Sequence, residues 1–172
     1  CIVIGCITQV LPPDKMKKST LITSLIILGF CSCSDLHNSN LLDSDNFNTK
    51  EARTECLKNE IKSKSEFNNA EFELFNVNGF SNSRPTTIPG ASSWDYKFVV
   101  KVKSSDIDKW TQGMLKTQPS DYDLGWTKEI VKKRANEWAT TSQPEFYSRK
   151  NGNVMVVVFR NEGIIYKRVI TN

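Results

Sequence analysis

Few side chains in this chain are able to move protons or attack a carbon, and their placement excludes most enzyme chemistry. The single histidine, His37, falls in a polar stretch ahead of every periodic segment. Histidine's ordinary pKa lies nearest neutral pH, so its absence from the patterned part removes Ser-His-Asp, Cys-His and His-based zinc schemes together. Of the five cysteines only Cys56 lies in that part. Without a disulfide partner there, and on an amphipathic segment, it reads as a small core residue rather than a reactive thiol. Carboxylates are the remaining acid–base option. Asp121 and Asp123 flank Tyr122, and Glu145 follows Pro144. Converging in a cleft they would suit a hydrolase that cuts glycan or peptide, although turn chemistry explains Asp-x-Asp equally well. Ser92 and Ser93 with a lysine base have no readable spacing. Asp43 and Asp45 match the first two ligands of a calcium loop, but Phe47, Asn48 and Thr54 stand where an oxygen ligand, a glycine and a closing glutamate are needed. GxGxxG, Walker A and GxSxG motifs are absent. The expectation is a chain that is not an enzyme and holds neither cofactor nor metal.

Binding residues are easier to nominate. Between Trp94 and Lys103 the chain places Trp94, Tyr96, Phe98, Val100 and Val102 on one side. Asp95, Lys97, Lys101 and Lys103 fall on the other, broken only by Val99. This is the pattern of a half-buried strand with one wet face. Lys97, Lys101 and Lys103, joined by Arg84 from the preceding loop, form the best basic patch for an anionic partner, glycan or headgroup. The same lysines would also serve simply as a solvated sheet face. Trp94, Trp110 and Trp138 each sit on the apolar side of their element and read as core. Trp126, beside Gly125 and ahead of a helix start, is the freest and the better surface anchor.

Composition narrows the class further. A chain of 172 residues, 38% hydrophobic and 24% charged, has the make-up of an ordinary globular protein with room for one domain. The net charge is +4, but 20 basic and 18 acidic residues follow Cys33, so that part carries only +2. Such a balance argues against a nucleic-acid partner, which calls for a strongly basic face.

The N-terminal segment carries an address. Met16-Lys17-Lys18 gives a positive start, and Leu21 to Phe30 is an apolar run without charge. Its length suits a signal h-region and falls short of a bilayer-spanning helix, which needs about 20 residues. Cys31-Ser32-Cys33-Ser34 follows at once. The segment resembles the lipobox of bacterial lipoprotein signal peptides, in which a small residue precedes a cysteine that is acylated at the cleavage point. Ser32 makes Cys33 the better acceptor; Cys31, the alternative, has bulky Phe30 before it. Phe30 also departs from the leucine usual three residues ahead of the cysteine. The resemblance implies a membrane partner through the lipid anchor. Ser34 rather than Asp after the cysteine implies the outer membrane, facing periplasm or cell surface, in preference to the inner. Residues 1–15, which begin with Cys and carry Pro12-Pro13, read as translated sequence upstream of a start at Met16. The expected divisions are 1–15, a signal at 16–32, a lipidated flexible tether at 33–48 and a folded domain at 49–172.

Within that domain, Asn48 and Glu51 predict a helix from Lys50 to about Lys64. Glu71 to Val77 and Trp94 to Lys103 read as strands, separated by a long Gly/Pro/Ser-rich stretch, Asn78 to Ser93. Ile107, Trp110 and Met114 mark a short helix, and Ile130, Val131, Ala135 and Trp138 a second one from about Thr127. Asn151-Gly152 and Asn161-Glu162-Gly163 predict the turns of a three-strand meander. Its middle strand, Val154 to Arg160, is apolar on both faces and should be covered. The order α-β-β-α-α-β-β-β gives an α+β fold, an antiparallel sheet of about five strands with helices on one face. The functional expectation is a membrane-anchored, non-enzymatic binding or inhibitor/immunity-type lipoprotein that meets an envelope protein partner through the Asn78–Ser93 stretch. The alternatives are a carboxylate-dependent envelope hydrolase and a structural accessory subunit of an outer-membrane assembly.

Overall fold

The chain folds around one sheet of seven strands, all paired antiparallel, in the spatial order β1-β2-β3-β7-β6-β5-β4. The structure is a computed structural model that describes residues 40–80, 93–118 and 123–171. The segment 16–32 expected to be a signal, residues 1–15, Cys31, Cys33, His37, Arg84, Ser92 and Asp121 lie outside the described residues. The strands are β1 (Leu41–Asp43), β2 (Phe67–Asn76), β3 (Trp94–Val102), β4 (Leu115–Thr117), β5 (Glu145–Ser148), β6 (Val154–Phe159) and β7 (Ile164–Thr171). Three α-helices, α1 (Lys50–Glu60), α2 (Ile107–Thr111) and α3 (Gly125–Glu129), lie between them. The α+β class stands; the strand count of five and the element order do not. β1 and β4 have three residues each, too few for alternation to register. β1 also lies inside the segment expected to be a tether. Leu42 opposes Leu74 there and is only 3% exposed, so an apolar side chain buried in the sheet orders this stretch.

Local signals account for most boundaries. Thr49, not Asn48, caps α1: its Oγ1 accepts from the Ala52 N–H at 3.1 Å. The helix expected from Thr127 is instead α3 followed by a 3₁₀ segment, Lys132–Trp138. The helical geometry breaks at Arg134 (φ −131°, ψ 35°), whose guanidinium grips Glu71, a tertiary contact that outweighs helix propensity. The Asn151-Gly152 turn forms as the sequence dictates, the Gly152 N–H donating to Arg149 O at 2.9 Å.

Helices cover both faces of the sheet, not one. On the first face Leu57 of α1 and Ile107 and Trp110 of α2 pack against Phe72, Phe98, Val156 and Ile165. On the second, Trp126 of α3 with Val131 and Trp138 packs against Val99, Val157, Ile164 and Tyr166. The alternation along β3, β6 and β7 assigns successive residues to these two cores. Val99, the residue that breaks the polar side of its strand, is fully buried in the second core. A sheet whose central strands are apolar on both sides has to be covered twice, because each large apolar side chain kept from water contributes about 1.5–3 kcal/mol.

At one edge of β2 the cores give way to ions. β1 pairs only with Glu73–Phe75, and beside it Arg53 donates Nε–H to the Ala70 carbonyl at 3.1 Å. Glu71 is fully buried and receives a two-pronged grip from Arg134, Nε–Oε1 and Nη2–Oε2 both 2.6 Å, with Arg53 Nε 3.3 Å away. Arg134 also reaches Asp45 at 3.0 Å. This network ties α1, β2 and the segments around Asp45 and Arg134 together with every charge answered.

Candidate functional site

β3 supplies a wall of rings. Trp94, Tyr96 and Phe98 follow one another at every second residue and therefore project from the same face, the first. The neighbouring β7 continues that face with Ile165, Lys167 and Val169. Lys167 lies opposite Phe98 on β3 and Val156 on β6, so its stem crosses apolar ground on both flanks. The end of α1 and the chain beyond it, Ile61 to Lys64, form one rim, and Arg149 before the β5–β6 turn forms another. Together they enclose a cleft of about 480 Å³, within the range of small-molecule sites.

The electrostatics of this cleft are one-sided. Lys62, Lys64, Arg149 and Lys167 line it against a single carboxylate, Glu60. The Lys167 ammonium sits 5.8 Å from the centre of the Trp110 ring, a cation–π contact. Among the described residues no carboxylate forms an ion pair with Lys62, Lys64, Arg149 or Lys167. Burial pushes the Lys167 ammonium down to about 8, and the like charges of Arg149 and Lys64 push the same way. Around it the polar frame is fixed: Trp110 Nε1–H donates to Ser65 Oγ at 2.9 Å, and Asn76 Nδ2–H to Tyr96 Oη at 3.4 Å. Both described ends of the Asn78–Ser93 stretch lie here. The Phe80 ring packs 6.1 Å from that of Tyr96, and the Val77 N–H donates to Ser93 O at 3.0 Å.

The residues nominated from the sequence are placed elsewhere. Lys97 lies on the second face and is engaged, 2.6 Å from Glu73 and 3.9 Å from Asp95. Lys101 stands in register with Asn69 and Ile164 on that same, helix-covered face. Lys103 is exposed beyond the end of β3. The three do not make one open patch, because α3 and the Lys132–Trp138 segment cover the middle of that face. Trp126 is not a surface anchor: it is 8% exposed, and its ring meets Tyr166 edge-on at 6.1 Å. Of the other tryptophans, Trp110 and Trp138 are core and Trp94 is half-buried at the cleft.

A second groove of about 270 Å³ opens on that other face, and each of its lysines is paired: Lys97 with Glu73, Lys132 with Glu129 and Lys133 with Asp45, while Asp43 adds a fourth carboxylate. Comparison with protein families, curated proteins and solved structures returns no match.

Of the carboxylates nominated for hydrolysis, the two among the described residues, Glu145 and Asp123, are engaged in other contacts. Glu145 accepts from Arg160 Nε and Nη2 at 3.1 and 3.2 Å and from Tyr147 Oη at 2.5 Å. These bonds hold its carboxyl down at about 2, the opposite of the raised value a catalytic acid needs. Asp123 Oδ1 accepts from the Gly125 N–H at 2.9 Å, where α3 begins. Ser93 Oγ–H donates to Thr171 O at 3.2 Å. Cys56 packs against the first core, and burial pushes its thiol up to about 11.

The sequence did carry one signal for the cleft. Lys167 shares a parity with Ile165 and Val169, so it occupies a core-facing position in a strand. A lysine in step with core residues is a stronger pointer than three lysines on a wet face.

Proposed function

We propose that this chain is a bacterial lipoprotein, held at the cell envelope by lipid on Cys33, whose domain binds a ligand rather than transforms one. The address rests on the lipobox-like run from Met16 to Ser34. The binding role rests on one observation, the Lys167 ammonium set in an aromatic cleft beside Lys64 and Arg149 without a paired carboxylate among the described residues. A half-buried charge left unpaired lowers stability, and a ligand of opposite charge would offset that cost. Lipid would concentrate the domain at a membrane, since two or more acyl chains hold a protein durably where one does not. The Ser34 that follows Cys33 favours the outer membrane.

Expression of the full chain in a bacterial host with an alkyne-bearing fatty acid tests the address. Label should enter the wild type and Cys31→Ser and be lost from Cys33→Ser. An unacylated chain carrying an intact 16–32 segment would refute it.

The accessory-subunit reading draws on Leu41, Phe75 and Val77, which are 44%, 40% and 41% exposed, Leu41 facing Phe75 in register. Stable protein interfaces engage about 20 to 30 residues a side, so three side chains favour the cleft instead.

A further inference from the structure

We infer that the cleft on the first face takes a small organic anion, one acidic group carried on a flat apolar body. The acidic group meets Lys167, Lys64 and Arg149, and the body lies along Trp94 and Tyr96. The inference deepens the binding reading above and rests on it.

Three features select this ligand class. The first is charge. Three cations approach one another closely enough that Arg149 and Lys64 both disfavour the charged form of Lys167. Like charges drawn together in partly dry surroundings are relieved by an incoming anion, and the fewer waters present the stronger that relief. Neither the Glu71 network nor the second-face groove offers such unpaired cations. The Glu71 network is closed by Arg53 and Arg134, and the second-face groove balances its own lysines.

The second is the wall. Rings at alternate positions of one strand stand about 7 Å apart, close enough for one flat ligand body to lie across two of them. Trp94 is half-buried and Tyr96 is braced by Asn76 and Phe80, so this surface is already shaped before a ligand arrives. An inorganic anion would leave it unused.

The third is size. A volume of about 480 Å³ accommodates a small molecule and not a folded partner. The acidic group is a carboxylate, phosphate or sulfate; lysine and arginine answer each of them by the same charge-assisted hydrogen bonds.

The test uses the full chain and three probes that separate ring from charge: naphthalene-2-sulfonate, inorganic sulfate and 2-naphthol, each titrated by calorimetry. The sulfonate should bind at least tenfold more tightly than sulfate or naphthol. Lys167→Met, which keeps the length of the side chain and its packing, should weaken the sulfonate tenfold or more, with an unchanged near-ultraviolet circular dichroism spectrum. Arg149→Gln, on the exposed rim, should weaken it severalfold. Lys132→Met, in the opposite groove, should leave affinity as in the wild type. Equal affinity of Lys167→Met and wild type would overturn the inference, as would sulfate or naphthol binding as tightly as the sulfonate. Cys33→Ser should bind the sulfonate like the wild type, so a failure of the lipid anchor and a failure of the cleft are read separately.

Discussion

Lys167 holds its ammonium 5.8 Å from the ring centre of Trp110, on a strand position whose two neighbours on the same face, Ile165 and Val169, belong to the hydrophobic core. A charge in that position is a burden on the fold. Its removal should therefore stabilise the domain while it weakens anion binding tenfold or more, a trade characteristic of binding sites. Lys167→Met should raise stability at pH 7 by about 2 kcal/mol, read by urea denaturation, after the lost cation–π contact is subtracted.

The pH dependence follows in sign. The Lys167 ammonium titrates at about 8 in the fold against 10.5 ordinarily, so between those values the unfolded chain binds the extra proton. Stability from this residue rises with pH across that window and is flat below it. Tyr166 and Cys56, pushed up to about 12 and 11, act in the opposite sense at higher pH. The wild-type profile minus that of Lys167→Met isolates the lysine. A flat difference between pH 7 and 10 would contradict its burial.

Glu71 should be the most sensitive charged position. Glu71→Gln leaves Arg53 and Arg134 facing each other with no carboxylate between them, and breaking a buried pair in this way costs about 3–5 kcal/mol. Glu73→Gln, two residues on, removes one of the two carboxylates beside Lys97, where Glu73 is 45% exposed; that substitution should cost under about 1 kcal/mol. Chemical denaturation of the two variants side by side checks the contrast.

Glu145 and Arg160 supply an acid-sensitive contact. The carboxyl sits at about 2 in the fold against 4.5 ordinarily. Its contribution is complete above 4.5 and is lost as pH falls from there towards 2. Arg160→Ala should bring the Glu145 carboxyl back up towards 4.5, followed by carbon-detected nuclear magnetic resonance. Both guanidinium and carboxylate are partly exposed, so the accompanying change in stability should be small.

Two glycines with the same left-handed backbone should respond unequally. At Gly163 (φ 66°) an added Cβ would stand 2.2 Å from the Val102 carbonyl oxygen, which is backbone and has no room to yield. At Gly152 (φ 70°) it would meet nothing within 4 Å. Gly152→Ala should cost about 1 kcal/mol from the φ alone; Gly163→Ala should cost several times more, read as the loss in melting temperature.

The sequence displayed the strands best where periodicity and turn chemistry agreed. β3 emerged from its aromatic alternation, and the β5–β6–β7 meander from Asn151-Gly152 and Gly163. β1 and β4 escaped because three residues hold less than two periods of alternation. The second helical layer was also legible in principle. Val154–Phe159, apolar at every position, needs cover on both sides, and Val99 pointed the same way. Strand parity alone groups Lys97, Lys101 and Lys103 into one basic patch. The carboxylate that engages Lys97, Glu73, lies on a strand more than twenty residues away in the chain, and pairing of that kind leaves no local trace. Lys167 was hidden differently: Tyr166-Lys167-Arg168 resembles an ordinary charged strand end until the register with Phe98 and Val156 is known.

β7 comes last in chain order yet lies in the middle of the sheet, the only strand that joins the β1-β2-β3 half to the β6-β5-β4 half. During folding both halves therefore keep an open edge until Ile164 to Thr171 pairs between them. Val154–Phe159, six apolar residues without charge or proline, is the segment left bare in that interval. Chains truncated before β7 should be the species most prone to aggregate and the most in need of a chaperone.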